Sequence, residues 1–260
     1  MDWSRAKTIL IIAFVILDLF LASQLNEMMQ QKSQYVKANH ITDQQINSLL
    51  KDAQVKLTAS KPDNLSQINF YKATIHAMAG WQKDEQGGSV KNFPVPLSYQ
   101  NDQDLERLLK EQIPFFHEYR RSAYDSVPNK KIVFLQTSRG HTIFDGRIEV
   151  NLAGSRKVES IRVVHYQLKN PSAVKLISFN TALFRLINSG ETNKNTAITS
   201  AELGYRAKTY PTASDEFVLI PYWRFRVGNE TLYVNAMNRG SNDDVEVVPS
   251  EKQIENKGKK

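Results

Sequence analysis

The residues able to do chemistry are few, and their spacing fails each familiar catalytic arrangement. The chain holds five histidines, His40, His76, His117, His141 and His165, and no cysteine. His117-Glu118 opens like the helical zinc-protease pattern, in which two histidines four residues apart hold the metal and the glutamate acts as base. The second histidine position is occupied by Arg121, so the pattern fails. His141 and His165 fall on neighbouring expected strands, and an ordinary half-buried pair is favoured there over a metal site. Ser138 and Ser155 stand in turns without the strand–turn–helix elbow of a nucleophilic serine. Asp145 and Glu149 are close in sequence, but nothing sets one apart as acid and the other as base. No glycine-rich phosphate loop is present. The expectation is a protein that is not an enzyme, with no catalytic residue, no bound metal and no cofactor. The absence of cysteine excludes disulfides, thiol catalysis and cysteine-bound zinc.

One carboxylate is out of place. Residues 8–25 form an apolar run at about 1.5 Å per residue, long enough to cross most of a hydrocarbon layer of roughly 30 Å. Asp18 sits near its middle. The apolar residues contribute about −5 kcal/mol to insertion and a central Asp costs roughly 3 kcal/mol, so insertion wins by a small margin. On a helix Asp18 shares a face with Ile11, Val15 and Ala22. Two readings stand: a tolerated polar residue in a tilted helix, or a contact to another transmembrane helix, with the small Ala22 allowing close approach. Arg5 and Lys7 precede the run, and Asn26 and Glu27 follow it. The positive-inside bias then places the N-terminus in the cytoplasm and everything after Leu25 outside the cell membrane. Neither Ala22 nor Ser23 completes a clean small-x-small cleavage site, so an uncleaved single-pass anchor is expected over a signal peptide.

The elements that follow are those of a folded exported part. The chain has 260 residues with a net charge of +7, and 41% are hydrophobic, which permits sizeable cores. The charges are dispersed, without an arginine-rich helix or the interleaved aromatic and basic residues of an RNA-binding strand, so no nucleic-acid partner is expected. Thr42-Asp-Gln-Gln45 reads as a capping box ahead of Ile46, Leu49, Leu50 and Ala53. Asn101 or Asp102 caps a second helix carrying Leu105, Leu108 and Leu109, with Pro114 marking its end. Ser172 is expected to cap a third, running to Asn188. Strands are expected at 68–78, 131–137, 141–152, 157–168, 197–207, 216–227 and 231–237. Asp145-Gly146 reads as a bend within one strand, and Gly228-Asn229 as a hairpin turn. Trp223, Phe225 and Val227 then face the core with Leu232, Val234 and Ala236, while Tyr222, Arg224 and Arg226 take the other face.

The expected organisation is therefore α+β: a cytoplasmic N-terminus at 1–7, a transmembrane helix at 8–25 and a juxtamembrane helix or linker at 26–39. Two extracytoplasmic subdomains of mainly antiparallel sheet with a few packed helices follow, at 40–128 and 129–240. A disordered charged tail is expected at 241–260.

The opening MDWSRAKTILIIAFVILDLFL, the Gly140-His-Thr-Ile-Phe144 strand, the segment ELGYRA at 202–207 and the ending IPYWRFRVGNETLYVNAM together resemble the YycI (WalI) family of low-GC Gram-positive bacteria, over essentially the whole chain to Asn238. The resemblance implies a single-pass protein with a fold like that of the companion regulator YycH. It implies association with YycH and with the sensor histidine kinase WalK (YycG), partly through transmembrane helices, and control of cell-wall metabolism through the WalK/WalR two-component system. It implies no catalytic residue. A polar residue, commonly Asn, stands near the middle of such membrane helices. Asp18 keeps the polarity but carries an acid, which favours the helix-contact reading for Ile11, Val15, Asp18 and Ala22. Two other functions compete: a binding module for peptide, glycan or anionic wall polymer on a passive anchor, and a cell-wall hydrolase.

Overall fold

Thr42 starts the helix Asp43–Asp52 by the mechanism its neighbours announce. Its side chain accepts from the Gln45 backbone, and the Gln45 side chain accepts from the Thr42 N–H at 2.9 Å. This closes a capping box on a helix, Asp43–Asp52, whose Ile46 and Leu50 are buried. The computed structural model describes residues 11, 13–24, 41–62, 67–209, 216–237 and 245–248. Within these, residues 13–24 are helical (α1) and Asp43–Asp52 is α2. The expected segments 1–7 and 26–39 lie outside the described residues, as do 8–10, 12 and 25 of the expected span. Among the described residues no helix is long and apolar enough to cross a membrane.

The rest is a mainly antiparallel sheet with helices packed on it, an α+β fold. Its strands are β1 (Lys56–Leu57), β2 (Gln67–Ile75), β3 (Gln82–Lys83), β4 (Ser89–Ser98), β5 (Tyr119–Val127), β6 (Lys131–Ser138) and β7 (His141–Leu152). Then come β8 (Lys157–Val164), β9 (Tyr166–Lys175), β10 (Ala197–Thr209), β11 (Phe217–Val227), β12 (Glu230–Asn235) and β13 (Val245–Val248). Helix α3 (Asp102–Gln112) precedes β5, and α4 (Phe179–Asn188) precedes β10. Asn101 caps α3, its side chain accepting from the Asp104 N–H at 3.0 Å.

The sheet runs β13-β12-β11-β10-β7-β8-β4-β3, with β5-β6 added on β7 and β2-β9 added on β11. Strand β7 is the shared element. Its first residues pair in parallel with β10 at Thr142 and Ile143, and its later residues pair with β8 from Arg147 to Leu152. Between them the ladder with β6 jumps from Gln136↔Ile143 to Leu135↔Arg147. Phe144, Asp145 and Gly146 therefore bulge out, which bends one strand between two sheets. Gly146 is required there: a Cβ would stand 2.6 Å from the Gln136 side-chain oxygen.

Two cores result. One gathers α2 and α4 with β2, β9, β10, β11 and β12 around Phe179, Trp223 and Phe225. The other gathers α3 with β5 to β8 around Leu105, Leu109, Ile113, Ile148 and Ile161. The expected subdomain boundary at 128/129 falls in the β5–β6 turn, and β5 pairs with β6 across it. The first core takes residues from both sides of that point, including Ile46, Tyr71, Trp223 and Leu232.

Two prolines fall where a ladder is already interrupted: the β4–β8 register shifts between Asn92 and Leu97, the stretch holding Pro94 and Pro96. Proline has no N–H to give to a ladder, and such a gap accommodates it.

Three expectations are corrected. The helix expected from Ser172 starts at Phe179 and is capped by Ser178, whose hydroxyl accepts from the Thr181 N–H at 3.1 Å. Ser172 instead lies in β9, paired with Phe70 of β2. The strand expected over 157–168 is two strands, β8 and β9, separated at His165. The tail expected to be disordered contains β13, whose β-branched Val-Glu-Val-Val run pairs with Thr231–Val234 and covers the outer edge of β12. The remainder of that segment lies outside the described residues.

Candidate functional site

The four residues singled out as a partner contact lie on one side of α1. Spacings of four, three and four residues place Ile11, Val15, Asp18 and Ala22 on one helical stripe. All four are exposed. The exposure is not confined to that stripe: Phe14, Ile16, Leu17, Leu19, Phe20 and Leu21 are also exposed, between 48% and 67%. A helix that is apolar all round finds no stable position against water and calls for lipid or other helices around it.

Charge gathers on the β11 face that alternates Tyr222, Arg224 and Arg226. Arg224 of β11 is only 9% exposed in its side chain. It donates to Glu202 of β10 at 2.6 Å and to Asp125 of β5 at 3.2 Å, and its guanidinium lies 4.4 Å from the Phe144 ring centre. Arg226, two residues on, donates to the same Asp125 at 2.6 Å and to the Thr231 hydroxyl. Ser122 donates to Asp125 at 2.5 Å, and Thr142 donates to Glu202. Burial pushes the Asp125 carboxyl up, but Arg224, Ser122 and Arg226 outweigh it and hold it below the usual carboxylate range. Alongside, Arg206 stacks 4.4 Å above Tyr233, and the bulged Asp145 accepts from the Ala207 N–H at 2.7 Å. The network ties β5, in the sheet of the second core, to β10 and β11, in the sheet of the first. Its hydroxyls, carboxylates and guanidiniums are engaged with one another, so its chemistry is cross-linking.

The second cluster surrounds His165, which is 6% exposed. Its ring stacks on Phe115, faces His76 edge-on at 6.0 Å, and meets the Tyr119 hydroxyl at 3.2 Å from Nδ1. The Tyr119 hydroxyl donates to the Val164 carbonyl at 3.0 Å. Burial, and then the fields of His76 and His117, lower the His165 pKa to about 4. Glu118 approaches Nε2 at 4.0 Å and acts in the opposite sense, but its side chain is 37% exposed and water screens it. The adjoining gap between β8 and β9 is closed by Gln136. Its amide donates to the Tyr166 carbonyl and accepts from the Tyr166 N–H, both at 2.9 Å. The expected approach of His141 to His165 is not found. His141 packs edge-on against Tyr205 at 6.1 Å, because β7 leads away from β8 before its bulge. Among the described residues no group of three His, Cys, Asp or Glu side chains could hold a metal ion.

The third feature is an open cleft of about 1030 Å³ between the start of α3, strands β5 and β6 and the β7–β8 turn. Tyr99, Asp102, Arg121, Lys131 and Arg156 line it.

Neither the charge network nor the His165 cluster is legible as a motif, since each is built from residues far apart in the chain. The available signal was the alternation Tyr222, Arg224, Arg226, which reads equally as a wet strand face and as a buried ion-paired one.

A family model described as YycI protein matches residues 23–237. A search of the curated proteins finds no match. Among solved structures, an uncharacterized protein from Eubacterium rectale aligns with a TM-score of 0.41 at 6% identity, over 75% of this chain and 86% of that one. The C-terminal domain of YpeB from Bacillus megaterium aligns with a TM-score of 0.36 at 13% identity, over 80% of this chain and 98% of that one. Likenesses at this level carry nothing about function.

Proposed function

The chain belongs to the YycI family, whose members are regulatory accessory proteins of the YycG/WalK sensor-kinase system, and we propose that it acts as a single-pass membrane protein, N-terminus in the cytoplasm and folded part outside, that associates with the kinase and with the companion YycH through its membrane helix and its exported part. The observation that carries this reading is the all-round exposed apolar helix interrupted by Asp18. Lipid solvates the apolar residues, but a carboxyl group at that depth, ionised or protonated, gains by meeting a polar group on another helix. Ala22, one turn further on the same stripe, lets a second backbone come close.

The test uses the full chain. Interhelical polar contacts are worth about 0.6–2 kcal/mol, so Asp18→Leu weakens co-purification with the kinase by roughly three- to thirty-fold while membrane level stays equal or rises. Ala22→Leu weakens it by blocking approach. A kinase-dependent promoter reporter at matched expression shifts with both. If both variants behave as wild type, the helix is a passive anchor and recognition lies in the exported part. External protease on spheroplasts gives the topology separately: a protected C-terminus would overturn it.

A further inference from the structure

The open cleft between α3 and β5–β6 has a charge pattern that neither the kinase reading nor the fold requires. Arg121 comes from β5 and Arg156 from the β7–β8 turn, so two separate elements deliver guanidiniums to one opening, while Lys131 of β6 lines it but is paired with Glu149 at 3.7 Å. Asp102, at the start of α3, is the one carboxylate in the lining, and Arg121 engages it at 2.5 Å while remaining 42% exposed in its side chain. Arg156 holds no ion pair among the described residues. Its backbone sits at φ +58° with its carbonyl accepting from the Tyr99 N–H at 3.1 Å, and the residue is exposed in the cleft lining.

Tyr99 lines the cleft together with the two arginines. Burial and then Asp102 push its phenol up, while Arg121 and Arg156 act against them, so both guanidiniums lie within electrostatic reach of that hydroxyl. Ile132 and Leu152 add apolar surface to the lining. A planar guanidinium matches phosphate oxygens bidentately, and a tyrosine ring offers a flat surface to the carbon face of a sugar or polyol. The cleft is open rather than enclosed, so it suits a chain passing through it more than a small molecule sealed inside. The net charge of +7 adds long-range attraction for a polyanion.

We propose that this cleft binds a polymer of phosphodiester-linked polyols or sugars, with Arg121 and Arg156 on phosphate oxygens and Tyr99 lying against the polyol. The site would meet such a polymer only if the folded part is outside the membrane, so its use in the cell rests on the topology given above. Binding itself does not.

The experiment uses the full chain in zwitterionic detergent with fluorescently labelled poly(glycerol phosphate), read by anisotropy at several salt concentrations. Wild type binds, and its affinity falls steeply with salt as counterions return to the polymer. Arg121→Gln/Arg156→Gln weakens binding by about tenfold or more, two charge-assisted phosphate contacts being lost. Lys51→Gln/Lys194→Gln removes the same charge from exposed positions outside the cleft and stays within about twofold of wild type. Should the double arginine variant fail to fold, Arg156→Gln alone, which breaks no internal pair, is expected to weaken binding by about threefold or more. Three results overturn the proposal: no binding at low salt, equal losses in the arginine and lysine variants, or equally tight binding of a poly-aspartate of matched charge. None of them touches the kinase reading, which is measured through the helix, and protease mapping of topology remains a separate outcome.

Discussion

The imidazole of His165 lies stacked on the ring of Phe115, centroids 3.7 Å apart and planes 21° from parallel. It occupies the break between β8 and β9, where the chain passes from one core to the other. The His165 carbonyl accepts from the His76 N–H at 2.8 Å at the end of the β2–β9 ladder. Neutral imidazole suits this stack; an imidazolium would be desolvated there beside His76 and His117.

That gives the first prediction, of acid sensitivity. The folded pKa of about 4 lies below the unfolded value of 6.5, so the unfolded state takes up the proton first as pH falls. His165 therefore contributes stability that is full above pH 6.5 and is lost progressively towards pH 4, about 2 kcal/mol of it by pH 5. The check is urea unfolding of wild type and His165→Gln at pH 7.5 and pH 5. The variant is the less stable at pH 7.5, and the gap narrows at pH 5. Equal gaps at both values would remove His165 as the cause, since the carboxylates with lowered pKa values, Asp43, Asp84 and Asp125, titrate in both proteins.

A second prediction concerns the network joining the two sheets. Asp125→Ala leaves Arg226 and half of Arg224 without their acid and costs about 3 kcal/mol, because a buried cation loses its compensation. Adding Arg226→Met restores part of that loss. A double-mutant cycle should give a coupling of about 1 kcal/mol or more between Asp125 and Arg226; additive losses would mean that the two do not act together.

Gly204 supplies a third. It pairs with Tyr222 on one side and Thr142 on the other, where β7 runs beside β10. A Cβ at this position would stand 2.5 Å from the Phe144 ring and closer still to the Thr142 carbonyl oxygen. Gly204→Ala therefore costs about 1–3 kcal/mol through overpacking against backbone, while Gly154→Ala, in a turn with nothing within 4 Å, does not incur that clash. Thermal melts of the two variants, with Gly154→Ala also reporting its own positive-φ strain, separate crowding from backbone conformation.

The fourth addresses the edge of the sheet. Removing residues 245–260 deletes β13 and leaves Thr231–Val234 of β12 with its outer backbone groups unpaired. Such an edge recruits other strands. The truncated chain is expected to keep its circular-dichroism spectrum but to self-associate with concentration in sedimentation velocity; a strictly monomeric truncation at every concentration would show that β13 does not guard that edge.

What the sequence determined by itself was local. The Thr42–Gln45 box, the Asn101 cap, the strand 141–152 with its Asp145-Gly146 bend and the Gly228-Asn229 hairpin each depend on groups within a few residues of one another, and all are found. The inward face of the last hairpin was equally legible: Trp223, Phe225, Val227, Leu232, Val234 and Ala236 are all buried. The family, too, was visible in short motifs strung in order. Tertiary structure decided what has its cause elsewhere in the chain. Ser172 has the right chemistry for a helix cap, but β2 continues to hold β9 in its ladder as far as Lys175, and the helix waits for Ser178. Arg224 and Arg226 alternate like a solvated face, but β5 brings Asp125 over them and turns that face into a second interior. Tyr99, Arg121 and Arg156 form one cleft only after a helix start, a strand and a turn have met. A capping hydrogen bond or a two-residue turn competes only with its immediate neighbours, whereas a strand's partner is chosen by the burial of whole faces, and that choice is made by the entire chain at once.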